Sequence, residues 1–166
     1  MDLQTERLNI RELNSASDAE FICALLNSPK FIKYIGDRGV RSGWEAADFI
    51  ENRYRTSYRD HGYGLYAVEL KDGTPIGICG FVRRDTLPGP DIGFAFLPEF
   101  EHQGFGYESA AAMMKYGRDT FEFTTVYAIT SPDNDASGSL LEKLGFSFDR
   151  MIANGDQTVK LFVSTS

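Results

Sequence analysis

The chain has 166 residues, 42% of them hydrophobic, and a formal net charge of −7, which suits a single domain, 1–166, with one core. The acidic balance, with no basic cluster beyond Arg83-Arg84, argues against nucleic acid as a partner, because neutralising phosphates needs a basic face. No apolar run approaches a membrane span, the first residues lack a secretion signal, and Cys23 and Cys79 read as buried free thiols, so no membrane and no metal are expected and the cytoplasm is the expected compartment.

Leu8 and Ile10 alternate with polar neighbours, a half-buried strand pattern. Ser15 and Ser17 can cap a helix carrying Phe21, Ile22, Leu25 and Leu26, which Ser28-Pro29 ends. A short segment around Phe31–Ile35 stops at Gly36-Asp37-Arg38-Gly39. Ser42-Gly43-Trp44-Glu45 has capping-box spacing, and the helix it opens runs toward Arg59 before His61-Gly62-Tyr63-Gly64 breaks it. Leu65–Leu70 and Ile76–Arg83 read as strands joined at Asp72-Gly73, a hairpin signal.

Asp91 to Met114 is the most informative stretch. Ile92-Gly93-Phe94-Ala95-Phe96-Leu97 is apolar on both faces, as in a central strand, with one bulky face and one small. After Pro98 comes Glu101-His102-Gln103-Gly104-Phe105-Gly106-Tyr107-Glu108, then a helix over Ser109–Phe121. A strand leading through Gly-x-Gly into a helix N-terminus gathers unpaired N–H groups at the positive end of the helix dipole, a site for phosphate. Thr124–Thr130 is a further strand and Asn134–Leu144 a further helix, closed by Gly145. A last hairpin, Phe146–Ile152 and Thr158–Val163, turns at Asn154-Gly155. The expected fold is mixed α/β, a mostly antiparallel central sheet flanked by helices.

Two successive strands thus each deliver a polar helix start, at Gly104 and at Asn134. A Rossmann domain would want Gly-x-Gly-x-x-Gly after its first strand, whereas position 109 is Ser and the turn comes late in the chain. The pattern instead resembles the GNAT superfamily of acyl-CoA-dependent N-acetyltransferases, in particular the RimJ/RimL-like branch of ribosomal-protein N-terminal acetyltransferases. The superfamily's pyrophosphate motif, Gln/Arg-x-x-Gly-x-Gly/Ala, falls on Glu101 to Gly106. Thr5–Arg11, Ile76-Gly77, Pro98-Glu99-Phe100, Glu108 with Ala110, and Asn134-x-x-Ser137 with Lys143-Leu144-Gly145-Phe146 are similar to that branch.

The resemblance implies an acetyl-CoA-dependent transfer to a primary amine, of a peptide N-terminus or of a small molecule, by direct attack in a ternary complex. It implies that main-chain groups of Phe96 and Leu97 pair with the pantetheine arm. N–H groups from Gln103, Gly104, Phe105, Gly106, Tyr107 and Glu108 would cradle the pyrophosphate. Asn134 and Ser137 would lie near pantetheine and sulfur and act in catalysis, and a backbone N–H near Phe96 or Leu97 would stabilise the oxyanion.

Two departures stand out. Glu101 replaces the pattern's Arg or Gln, and a carboxylate there repels pyrophosphate unless it faces solvent or pairs with a cation. Ile129 and Leu141 stand where some relatives carry a glutamate base and a tyrosine acid. Deprotonating an α-amine of pKa about 7.8 at pH 7 costs roughly 1 kcal/mol, against roughly 4.6 for lysine, so a site without a strong base suits an α-amine. Glu69 and Asp85 are the carboxylates next considered as water-relayed bases.

Plainer readings accompany these. Asn134 and Ser137 also read as one helix cap, and Glu108 as a dipole partner in the first turn. The aromatic group Trp44, Phe49, Tyr54, Tyr58, Tyr63 and Tyr66 lines a substrate groove or packs the core. A non-catalytic acyl-CoA-binding module of the same fold is the rival function. An exposed last strand could pair with a second copy as a homodimer.

Overall fold

The computed structural model describes residues 1–166, and one sheet of eight strands runs through it. The strands are β1 (Asp2–Gln4), β2 (Leu8–Arg11), β3 (Leu65–Leu70), β4 (Pro75–Val82), β5 (Asp91–Phe96), β6 (Thr125–Thr130), β7 (Ser147–Asn154) and β8 (Gln157–Thr165). Their spatial order is β1-β2-β3-β4-β5-β6-β8-β7, and every pairing is antiparallel except β5 with β6. The mixed, mostly antiparallel architecture expected from the sequence is therefore present. β1 was not among the expected strands, being three residues with little apolar pattern.

The early helical region is more broken than the two expected helices. It comprises α1 (Ala19–Leu26), α2 (Pro29–Tyr34), α3 (Gly43–Phe49) and α4 (Arg55–His61), with a π-helical turn over Ile50–Tyr54 between the last two. Neither serine caps α1: its N-cap position is Asp18, and Asn14 orders the turn before it, its side-chain oxygen accepting from the N–H groups of Ala16 and Ser17. Ser28-Pro29 ends α1 and at once starts α2, with Pro29 in the first turn, where a missing N–H costs nothing. The capping box at Ser42 forms, its Oγ accepting from Glu45 N–H at 3.1 Å. The later helices are α5 (Phe105–Phe121) and α6 (Asp135–Lys143).

Strand alternation sends residues to two cores. Phe81, Ile92, Val126 and Ala128 join Phe105, Ala110 and Met113 in a cluster under α5. Ala67 and Ile78 face the other way, into a cluster with Leu25, Ile50 and Tyr54 of the early helices, against which Ala95 packs. β5 thus has a core on each side, its bulky face toward α5 and its small face toward α1–α4, with Gly93 and Ala95 only partly buried. Cys79 is buried and Cys23 partly so, and both are free thiols.

Candidate active site

Although β5 and β6 run side by side in parallel, they pair only where Asp91 meets Tyr127. There Tyr127 N–H donates to Pro90 C=O at 2.9 Å. At the far end of β5, Leu97 N–H donates to Ile76 C=O of the β4 side, also at 2.9 Å. Main-chain groups alternate along a strand, so Phe94 and Phe96 turn theirs away from β4, toward the side where β6 has left. The start of α5 lies in this fork: a Cβ on Gly106 would meet Leu140 of α6 at 3.2 Å and Phe96 at 3.7 Å. The fork is a gap in an otherwise continuous ladder, and an extended chain bearing amides could fill it like a strand. No local sequence signal marked it, because strand patterns do not record where neighbours part.

The fork opens into a cleft of about 860 Å³, lined by β5 from Asp91 to Phe96, Ala128–Thr130, Gly104–Gly106 and Asn134–Ser137. Of the expected site residues, Phe96, Gly104, Phe105, Gly106, Asn134 and Ser137 line it together; Leu97, Gln103, Tyr107 and Glu108 do not. The Leu97 N–H is committed to Ile76, so Phe96 rather than Leu97 offers a free donor on the open side.

Gly104 caps α5 with φ of 83° and His102 precedes it at 61°, two left-handed residues that turn the chain sharply into the helix. The N–H groups from Gln103 to Tyr107 donate to no main-chain acceptor, whereas Glu108 N–H closes the first helical turn on Gly104 C=O at 3.1 Å. The Glu108 carboxylate is also occupied. It accepts from Arg7 N–H at 2.9 Å, Arg7 Nε at 2.7 Å and the Thr5 hydroxyl. Burial works against its ionisation, but these bonds hold its pKa below the usual carboxylate value. Arg7 also donates to Gln103 C=O at 2.9 Å and stacks over Phe105 at 4.3 Å, so the edge of β2 braces the turn.

Across the cleft, Asn134 Oδ1 accepts from Ser137 N–H at 3.3 Å, the capping role its spacing suggested. Ser137 and Thr130 both line the cleft, and the buried Thr130 Oγ1 has no partner. Ile129 and Leu141 give the same wall an apolar character. Glu69 binds Arg11 near Asp18, away from the cleft, and Asp85 is exposed outside it. Of the carboxylates that do line it, Asp60, Asp91, Glu101, Asp133 and Asp135, only Asp91 is buried, 2% exposed at the root of the fork and bonded to Arg84 Nε at 2.5 Å. Burial pushes its pKa up to about 6, against the opposing pull of Arg84. A lone acid at the start of an apolar strand was the available signal.

The aromatic group divides. Phe49 and Tyr54 line the cleft, Tyr63 and Tyr66 are buried in the core, and Trp44 is 81% exposed on α3.

Residues 7–147 match the family model described as Acetyltransferase (GNAT) domain. The chain belongs to the GNAT acetyltransferases. It is 28% identical over 146 residues to the uncharacterized N-acetyltransferase YoaA of Bacillus subtilis, covering 87% of this chain and 81% of that one. It is 27% identical over 107 residues to the [ribosomal protein uS5]-alanine N-acetyltransferase of Escherichia coli, covering 63% of this chain and 54% of the relative. Its fold matches that of RimL, a ribosomal alpha-N-protein acetyltransferase solved in complex with coenzyme A, at a TM-score of 0.85 and 15% identity over 99% of this chain and 98% of the other. An acetyltransferase from Agrobacterium tumefaciens matches at 0.84 and 21% identity, over 100% and 95%. The GNAT fold expected from the sequence is the one found, the chain is an acetyltransferase, and ribosomal-protein N-acetyltransferases are among the proteins it is similar to.

Proposed function

We propose that this GNAT domain, 1–166, moves an acetyl group from acetyl-CoA to a primary amine by direct attack in a ternary complex, in the cytoplasm and without a metal. The observation that carries the reading is the continuity of the fork with the turn before α5. Open main-chain groups of Phe94 and Phe96 lead to the unpaired N–H groups of Gln103 to Tyr107. β5 rises about 3.3 Å per residue, so this path is long enough for an extended pantetheine arm ending in a pyrophosphate. Each N–H to phosphate bond contributes about 1.5–3 kcal/mol.

In this reading Phe96 N–H faces the oxygen that gains charge as the amine nitrogen attacks the carbonyl carbon. The carbon–sulfur bond breaks, the amine sheds a proton to water, and the departing thiolate, of pKa near 8.5, takes one with help from the Ser137 hydroxyl. Asn134 keeps that hydroxyl in place by capping α6. The walls at Ile129 and Leu141 supply no strong base, which favours an acceptor that is already partly neutral at pH 7. An α-amine meets that condition and lysine does not.

The same apolar walls support one rival, a non-catalytic acyl-CoA-binding module. Thiol release from acetyl-CoA with peptide α-amines, lysine side chains and small amines separates the two. Turnover with α-amines above lysine is expected. Tight acetyl-CoA binding with no turnover on any amine would establish the rival, and a lysine preference would defeat the α-amine assignment.

A further inference from the structure

Most arginines of this acidic chain are held by carboxylates, and three of the four exceptions line one cleft. Arg7, Arg11, Arg41, Arg55, Arg59, Arg84 and Arg150 are all ion-paired. Arg38, Arg53, Arg83 and Arg118 are not, and the first three line the cleft, Arg38 and Arg53 from the early helical region. Arg38 sits between Gly36 and Gly39, whose φ values of 127° and 73° bend its loop inward. Arg53 projects from the π-helical turn and stacks on Phe49 at 5.3 Å. A π-turn inside an α-helix shifts the side chains that follow it, a device frequent at functional sites.

The surroundings leave this end positive. Asp91 is neutralised by Arg84, and of the cleft's other carboxylates Glu101 belongs to the turn before α5 and Asp133 and Asp135 to the start of α6, which leaves Asp60 on the early helices. Loss of water lowers the Arg38 pKa, Tyr54 opposes that shift, and the like charges of Arg53 and Arg84 each lower it by less. These cations are also remote from the anion turn. Arg84 is bonded to Asp91, and β5 then runs about 20 Å at 3.3 Å per residue to Leu97, before the turn begins. Between the two ends lies the small face of β5, Gly93 and Ala95, over which an acceptor could lie.

We propose that Arg38 and Arg53 bind a carboxylate carried within a residue or two of the acceptor amine, so that the preferred acceptor is acidic. The inference rests on the transferase reading above. The chemistry required is an α-amine with a nearby carboxylate, supplied by an acidic peptide N-terminus or by a free acidic amino acid. Arginine suits it because its planar donors grip a carboxylate in pairs. A net charge of −7 would repel such an acceptor elsewhere, and a local positive cleft reverses that.

The test uses the whole chain and three acceptors: peptides starting Ser-Asp-Glu, the same peptides with Asn and Gln, and free glutamate and aspartate. The acidic peptide is expected to exceed its amide counterpart in kcat/KM by about tenfold or more, through charge-assisted bonds. Arg38→Gln with Arg53→Gln should erase that preference and leave the calorimetric affinity for CoA unchanged. Preference for the free amino acids over the peptide would assign the same subsite to a small acceptor. Equal rates for acidic and amide peptides overturn the proposal, as does a loss of CoA affinity in the double variant, which would place these cations on the coenzyme. If no amine is acetylated, calorimetry of the acidic and amide peptides on the CoA-loaded protein still decides. Selective binding that the double variant abolishes supports the subsite while defeating the transferase reading, and equal binding defeats the subsite.

Discussion

Lys30 of α2 bonds to Glu101 in the turn before α5, joining the early helices to the start of that helix. Glu101 stands where the GNAT pattern has Arg or Gln, and this pairing removes the repulsion that a bare carboxylate would direct at a phosphate. His102 Nε2 lies 3.9 Å from the same carboxylate. The Lys30 side chain is 53% exposed, so the pair is worth about 0.2–1 kcal/mol. Lys30→Ala should weaken acetyl-CoA binding by up to about fivefold, and Glu101→Gln should tighten it slightly. Calorimetry at low and high salt checks both, since the Lys30 effect should shrink as salt rises.

Glu108 acts on the same turn from inside. Its carboxylate takes three bonds from Thr5 and Arg7, and Arg7 holds the Gln103 carbonyl. Glu108→Gln should cost about 1.5–3 kcal/mol of stability at pH 7, the worth of bonds to a charged group. Because the folded-state pKa is depressed, that stability exists above the ordinary carboxylate value, about 4.3, and is lost as pH falls through the lower folded value. Urea titrations of both proteins between pH 7 and pH 3 should show the difference closing toward the acid end.

Asp91 predicts the opposite slope. Its folded pKa, about 6, lies above the unfolded value, so the folded state binds the proton more tightly. Stability linked to Asp91 is full at low pH and declines as pH rises from about 4 to about 6, by about 3 kcal/mol in all. Relative to Asp91→Asn, the native chain should therefore lose stability across that interval and hold a constant difference above it. Parallel curves for the two proteins would show that Arg84 compensates the buried charge fully.

Ser137 and Asn134 should separate by kinetics. A thiolate leaves readily, so Ser137→Ala is expected to lower kcat by about tenfold, below the usual range for a general acid, with the KM for acetyl-CoA little changed. Asn134→Ala loses the cap of α6 and should cost about 1 kcal/mol of stability as well as activity. Stopped-assay thiol release and thermal melts distinguish the two.

The strand, turn and helix signals around Asp91–Met114 were legible because each lies within a few consecutive residues. Apolar alternation, Gly104 in its left-handed cap and the Ser42 capping box act over one or two turns of chain, so sequence spacing maps directly onto geometry. The same locality explains the errors. The π-turn at Ile50–Tyr54 interrupts a segment whose spacing reads as continuous helix, and β1 exists only because β2 offers it an edge. Glu69, a candidate by position, is drawn off by Arg11 across a neighbouring strand.

The sequence by itself determined the mixed sheet, the turn with open N–H groups at Gln103–Tyr107 and the polar start of α6, since these depend on backbone preference and short-range hydrogen bonding. Tertiary structure alone decided that β5 and β6 part beyond Asp91 and Tyr127, that Lys30 reaches Glu101 across 71 positions of chain, and that Asp91 lines the cleft in place of Glu69 or Asp85. The reason is physical. Packing and burial select among distant charges and open strand edges, and neither quantity is carried by any one stretch of residues.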